Sequence, residues 1–262
     1  MNNTNLLLPE NITLKLNENS LNYNYYYFDN LESTINIAHK IAKEKNKVNS
    51  LIVAKEQTMS KGRFNRVWSS PKGGLWFSMI LKPNIKSNHV TNITQVAAAS
   101  IVKALAKFNI DCKIKWPNDV YLNNKKLCGI LTEMKCSNFD VNYITIGIGI
   151  NVNIKSFPDE LKDIATSLFL ENKKEYNLDQ ILIEFLKEFD ILYNMLIKDM
   201  DSHEAIQICK EKSILLNQTA YLVKNNKKEQ VTCIGVTDEG ALLIKDSLGN
   251  ITSILSGEIS FH

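Results

Sequence analysis

Arg63 and Arg66 stand three residues apart in the stretch SKGRFNRVWSS, residues 60–70, and they are the only arginines in the chain. Every other residue among its 31 lysines and arginines is a lysine. Arginine carries a planar, always-charged fork of N–H donors that grips a carboxylate or a phosphate bidentately, where lysine offers a point charge. Using arginine twice in one short segment, and nowhere else, points to an anion that must be held in a fixed orientation. The surroundings agree. Residues 57–110 contain no Asp or Glu but include Lys61, Arg63, Arg66, Lys72, Lys82, Lys86, Lys103 and Lys107. A basic, acid-free segment suits an anionic ligand, although a solvated basic face would have the same composition.

Three further stretches carry groups able to do chemistry. Ser33-Thr34 follows Glu32 at the start of a helical pattern and offers two hydroxyls, or simply a helix cap. In KWPND, residues 115–119, a Trp-Pro pair at the end of an apolar run fixes Asn118 and Asp119 in a turn. An amide and a carboxylate so placed suit polar ligand contacts or Mg²⁺. Gly147 and Gly149 sit inside an otherwise β-branched run, GIGINVN, where glycine marks the close approach of a ligand or another backbone. The five cysteines include no CxxC pair and read as reduced, mainly buried thiols. The four histidines, His39, His89, His203 and His262, show no metal-ligand spacing.

The elements that must position these groups follow from periodicity. Strands are expected at residues 25–28, 51–54, 74–81, 112–116 and 141–152, with a hairpin of residues 121–122 and 127–134 about the polar turn NNKK. Helices are expected at residues 32–44, 96–108 and 178–197, the last capped by Asn177 with Gln180. Residues 57–72 show no strong periodicity and read as a long functional loop. After about residue 214, short strands at 220–223, 230–234, 241–244 and 252–255 alternate with Gly, Asn and Asp turns, the pattern of a small all-β module. The expected fold is therefore α+β: a mixed sheet with helices over residues 1–213, followed by a small β-barrel over residues 214–262. Hydrophobic content of 44% and charged content of 23% are ordinary for a globular chain. No apolar run could span a membrane, and the first twenty residues lack a basic n-region, so a cytoplasmic location is expected. A net charge of +3 is too weak to argue for nucleic acid.

Taken together and in order, EST at residues 32–34, EQTMSKGRFNRVW at 56–68, KWPNDVYLNNKKLCGIL at 115–131, GIGINVN at 147–153 and the terminal GALLI and SGEIS resemble the biotin protein ligases. The resemblance runs from about Tyr26 to the C-terminus. It implies a class II synthetase-like catalytic domain of the biotin and lipoate ligase fold, with a C-terminal SH3-like barrel. It further implies a reaction in which ATP, with Mg²⁺, activates biotin as biotinyl-5′-AMP, and biotin then passes to one lysine of a biotin carboxyl carrier protein. Carried over residue by residue, the resemblance makes Arg63, Arg66, Lys126 and Asp119 the catalytic group. Ser33, Thr34, Gln57, Gly62, Arg63, Lys126, Gly129 and Gly149 would bind biotin, with Gly147 also allowing close approach. Arg63, Arg66, Trp68, Asn118, Lys126 and Asn151 would bind ATP. No protein-held metal is expected; Mg²⁺ would travel with ATP and could meet Asp119.

Departures from the family pattern are Ile35, where Asn is usual after Ser-Thr, and Ser60, Lys61 and Asn65, where the loop usually has Gly, Arg and Gly. These bear on affinity and rate more than on the reaction, because Arg63, Arg66 and Lys126 remain. The roughly 32 residues before Ser33 are too few for a winged helix beside the first strand, so a DNA-binding role is not expected, nor a membrane partner. A monomer or weak homodimer is expected. Two alternatives stay open: a lipoate or octanoyl transferase of the same fold using Cys128, two residues beyond Lys126, and a non-catalytic protein that binds biotin or biotinyl-AMP.

Overall fold

The computed structural model describes residues 7–44, 49–85, 90–138, 140–224 and 227–261; Lys86, His89 and His262 lie outside the described residues. Seven strands form one sheet: β1 (Asn24–Leu31), β2 (Ser50–Gln57), β3 (Leu75–Leu81), β4 (Lys113–Lys115), β5 (Asp119–Leu122), β6 (Lys125–Ser137) and β7 (Asp140–Ile150). Their order is β1-β2-β3-β7-β6-β5-β4. β1 and β2 run parallel, and the other neighbours are antiparallel. The parallel pair needs a crossover, which α2 (Thr34–Ala42) supplies.

Strand alternation gives the sheet two different faces. Leu51, Val53, Phe77, Met79, Ile146 and Ile148 pack into the main core together with residues of α1 (Pro9–Glu18), α3 (Val90–Ala106) and α5 (Leu178–Asp199). The intervening Ile52, Ile80 and Tyr143 face Ala38 and Ala42 of α2 in a much smaller cluster. One face is thus wholly buried in an apolar core, and the other is left partly free for a ligand. Ion pairs tie the helices across their solvent side: Lys103 and Lys107 both reach Glu188, Lys107 also meets Glu184, and Lys103 meets Glu204 of α6 (His203–Glu211).

Two expectations need correction. The helix expected over residues 96–108 starts at Val90 and stops at Ala106. Its first turns carry the polar Asn92 and Gln95, which break the apolar pattern yet are buried. Their amides donate to Ser202 Oγ and to the Asp238 and Pro117 carbonyls. The NNKK hairpin turn consists of Asn123 and Asn124 alone, at φ 48° and 63°, while Lys125 and Lys126 already belong to β6. Two left-handed residues form the tight turn that matches strand twist, and asparagine tolerates that region.

A second, antiparallel sheet contains β8 (Thr219–Lys224), β9 (Lys227–Val236), β10 (Leu242–Lys245), β11 (Ile251–Ile254) and β12 (Glu258–Ser260), in the order β11-β10-β9-β8-β12. Its core of Leu215, Ala220, Leu222, Val231, Cys233, Leu242, Ile244 and Ile259 also takes in Trp116 and Ile206 from the preceding part of the chain. The Trp116 indole donates to the Gly240 carbonyl at 2.9 Å. The module is therefore packed onto the larger sheet through the KWPND segment itself.

Candidate active site

A pocket of about 430 Å³ opens on the α2 side of the large sheet, a volume in the range of small-molecule sites. Its floor follows from strand register. Trp76, Gly149, Gly129, Asp119 and Lys115 are successive cross-strand partners through β3, β7, β6, β5 and β4. The two glycines leave a trough in the middle of this row, and the Trp68 indole lies in it. A Cβ on Gly149 would stand 2.5 Å from Trp68 Nε1, and one on Gly129 would stand 3.0 Å from the same ring. The close approach that the glycines permit is thus made by Trp68. Its buried Nε1 donor has no hydrogen-bond partner among the described residues. Gly147, one turn of the pleat away, faces Ile35 Cδ1, so the Ile35 departure fills that corner with hydrocarbon.

The basic loop leaves β2 at Gln57 and is more ordered than its aperiodic sequence implies. Gln57 bridges Ser70 and Lys61 bridges Val67, making an antiparallel excursion closed by a short 3₁₀ turn at Arg63–Asn65. Gly62 N–H donates to the Arg66 carbonyl at 2.8 Å. Asn65 has φ 56°, so this departure keeps the left-handed conformation for which asparagine is the best non-glycine residue. Phe64 also sits at φ 58°, an uncommon and strained place for a bulky residue. Its exposed ring stacks under both guanidinium groups, 5.0 Å from Arg63 and 5.8 Å from Arg66.

Ser60 is the departure with the clearest structural use. It is buried, and its hydroxyl reaches the Trp68 carbonyl at 2.6 Å and Ser70 Oγ at 2.7 Å. Gln57 Nε2 donates to Ser70 Oγ at 3.0 Å, and Gln57 Oε1 accepts from the Thr34 backbone N–H at 2.7 Å. Thr34 Oγ1 meets Ser78 Oγ at 2.8 Å. Ser33 occupies the N-cap position of α2 without a side-chain capping bond. A continuous hydrogen-bonded chain thus links α2, β2, β3 and the loop, and it leaves a neutral, polar end to the pocket.

The opposite end is charged. Lys126 Nζ lies 2.8 Å from Asp119 Oδ1 and 5.1 Å from the Trp68 ring centre. That carboxylate oxygen is buried and, although paired in charge, lacks a hydrogen bond of good geometry. Arg63 donates to Asn118 Oδ1 at 3.1 Å and to the Gly257 carbonyl at 2.9 Å. Arg66 donates to Glu258 at 2.6 Å. The Arg66 hydrogen bond holds the Glu258 carboxyl below the usual carboxylate range, and burial lowers the pKa of Arg63. Both arginines therefore dock on the β-module. Asn118 is bound in turn to the Ile130 carbonyl, and Asn151 to the Thr166 carbonyl, so their amides act on the shape of the site as well as lining it.

Sequence reasoning did not single out Ser70, Ser78, Lys115 or Glu258, nor the apolar wall of Phe157, Leu161 and Ile164 that completes the pocket. Lys115 and Glu258 stood inside the quoted KWPND and SGEIS stretches. The wall carries no local signal; it is held by the Lys126 N–H bond to the Ile164 carbonyl. Cys128 is fully buried, and desolvation pushes its thiol well above the ordinary range, which disfavours the thiolate that a nucleophile requires. Among the described residues no cluster of three metal-ligating side chains exists. The pocket's one under-bonded carboxylate, Asp119, fits a Mg²⁺ ion held chiefly by nucleotide phosphates.

Fold and pocket together define an α+β domain whose glycine-floored sheet face carries a neutral polar end and a strongly cationic end, closed by a docked β-module. The chain belongs to the biotin/lipoate A/B protein ligase family, whose model matches residues 27–151. It is 36% identical to the bifunctional ligase/repressor BirA of Bacillus spizizenii over 89% of this chain and 72% of that protein. It is 35% identical to the biotin–[acetyl-CoA-carboxylase] ligase of Paracoccus denitrificans over 38% of this chain and 43% of that protein. The biotin protein ligase of Aquifex aeolicus, solved with biotin and ATP, superposes with a TM-score of 0.77 at 30% identity, over 90% of this chain and 97% of that one.

Proposed function

We propose that this chain activates biotin with ATP as biotinyl-5′-AMP and transfers it to a lysine of a biotin carboxyl carrier protein. The observation that carries this reading is the polarity of one pocket: Ser33, Thr34 and Gln57 at one end, and Arg63, Arg66, Lys126 and Asp119 at the other. The neutral end suits a ureido ring, whose donors and acceptors must all be satisfied once buried. The hydrocarbon of Ile35, packed over Gly147, suits its fused apolar ring. The valeryl chain then delivers the biotin carboxylate to Lys126, and the Trp68 indole must leave the glycine trough for the carboxylate to enter it.

In the first step a carboxylate oxygen attacks the α-phosphorus, and the bond to the pyrophosphate oxygen breaks. Two anions meet, so the protein's task is positioning and charge stabilisation. Lys126 supplies a point charge where they meet, and Arg63 a fork for the carboxylate and α-phosphate. Arg66 exchanges Glu258 for the triphosphate. The wall of Phe157, Leu161 and Ile164 offers an apolar face to adenine. A Mg²⁺ ion, carried by ATP and met by Asp119, would neutralise phosphate charge. In the second step the carrier lysine, as the free amine, attacks the acyl carbon, AMP leaves and the nitrogen gives up a proton to solvent; Asp119 orients that amine. The catalytic unit is residues 1–213, and the module, residues 214–262, closes the site. No helix among the described residues is long and apolar enough to cross a membrane, and we place the reaction in the cytoplasm.

Pyrophosphate release from MgATP tests the first step. Release that requires biotin is the expected result; no release, or release indifferent to biotin, contradicts the reading.

A further inference from the structure

Besides Arg63, Arg66 and Lys126, the pocket is lined by Lys61 and Lys115, two cations that the roles above leave unused. Lys115 lies opposite Asp119 across the β4–β5 pair and extends the row of Gly149, Gly129 and Asp119 by one strand. It is half-buried and lines the same pocket. Lys126 has Asp119, and Arg66 has Glu258. The Lys115 ammonium makes neither ion pair nor hydrogen bond with any described residue; it rests against the rings of Tyr121 and Phe261, 5.8 Å and 5.6 Å from their centres. Burial pulls its pKa down from the lysine range, Asp119 and Glu258 pull it up, and Lys126 and Arg66 pull it down. A cation taken out of water without its own carboxylate is costly until an anion arrives.

We propose that Lys115 binds the leaving diphosphate of ATP. The inference rests on the adenylation reading and assigns a partner to a residue that reading does not need. Position along the row decides which part of the nucleotide Lys115 meets. In that reading the carboxylate and α-phosphate meet beside Lys126, on strand β6. Lys115 lies two strands further on, roughly 10 Å at the usual strand spacing, away from Ser33, Thr34 and Gln57 and toward Arg66. A diphosphate leaving in line with the attack, away from biotin, runs in that direction. The two rings hold the lysine stem and shield the ammonium from water without neutralising it. As the bond to the α-phosphorus breaks, negative charge grows on the diphosphate. A fixed cation there stabilises the transition state more than bound ATP. Biotinyl-5′-AMP carries no diphosphate, so Lys115 has no part in transfer to the carrier.

The test compares Lys115→Met, which keeps the stem and removes the charge, with Lys115→Arg and with Lys113→Met on the exposed part of the same strand. Three quantities are read on the full chain: binding of inorganic pyrophosphate by calorimetry, biotin-dependent pyrophosphate release from MgATP, and single-turnover transfer from supplied biotinyl-5′-AMP to a carrier domain. Loss of one charge-assisted contact is worth about ten- to a hundredfold. Lys115→Met should lose that factor in pyrophosphate affinity and in adenylation while transferring from the supplied adenylate at the wild-type rate. Lys115→Arg should recover part of the loss, and Lys113→Met should behave as wild type. Wild-type pyrophosphate affinity in Lys115→Met overturns the proposal. Equal losses in both half-reactions with a lowered melting temperature also overturn it, making Lys115 a packing group beneath Phe261. If the wild-type chain fails to adenylate biotin, the wider reading falls, and the calorimetric comparison still decides whether Lys115 holds a diphosphate.

Discussion

Arg63 and Arg66 do in the folded chain what a lysine could not. Each guanidinium is oriented by an acceptor at 3.1 Å or less while its face stacks near Phe64. Arg63→Lys should therefore slow adenylate formation and speed adenylate escape, and Arg66→Lys should raise the KM for ATP. Each effect should be about ten- to a hundredfold, the worth of a charge-assisted contact. Separate biotin and ATP titrations read both effects, and unchanged kinetics would reduce the pair to surface charge. Cys128 gives a second test at this scale. Its raised thiol pKa means that the neutral form persists as pH rises through the range where an ordinary cysteine ionises. Alkylation between about pH 7 and 9 should map to the half-exposed Cys136 before Cys128 and should spare activity. Inactivation that tracks Cys128 modification would revive a thioester route. Residue type and local motif made Arg63, Arg66, Lys126 and Asp119 legible in the sequence. Ser70 and Ser78 were not, because a serine acquires meaning only from what the fold sets against it.

At the scale of elements, the chain of hydroxyls through Thr34, Gln57, Ser70 and Ser60 fastens the basic loop to α2 and the sheet. Replacing Ser70 with Ala removes the shared acceptor of Gln57 and Ser60. The net loss of one or two such bonds is about 0.5–1.5 kcal/mol each, so biotinyl-5′-AMP should dissociate several-fold faster. Amide exchange within residues 57–72 should quicken while the rest of the sheet is unaffected. Unchanged exchange in that segment would show that the latch does not hold the loop. The strands were legible because apolar alternation and β-branched runs such as residues 141–152 are local facts. Helix α1 was not, since its sequence, PENITLKLNE, buries only Ile12 and Leu16 within a polar surround. The start of α3 was hidden by Asn92 and Gln95, whose burial depends on partners more than a hundred and twenty residues apart in the chain, Pro117 and Asp238.

For the whole molecule, the β-module is part of the site. Gly257 and Glu258 hold the two arginines, and Trp116 of the KWPND segment is buried in the module's core. Trp116→Phe keeps most of the packing but leaves the buried Gly240 carbonyl without its donor. That should cost about 1–3 kcal/mol, or several degrees in melting temperature. If the module also positions the loop, the KM for ATP should rise as well; a stability loss with unchanged ATP kinetics would limit the module to a structural part. The terminal SGEIS stretch could be read as belonging to a β-module, but its reach across to Arg63 and Arg66 is a contact between residues nearly two hundred positions apart.

The most direct measurement is the intact mass of a biotin carboxyl carrier domain incubated with the protein, biotin and MgATP. The expected result is one added biotinyl group on one lysine, dependent on both substrates and lost in Lys126→Ala but kept in Lys125→Ala. A carrier whose mass does not change, under conditions in which an established biotin ligase modifies it, would contradict the central claim.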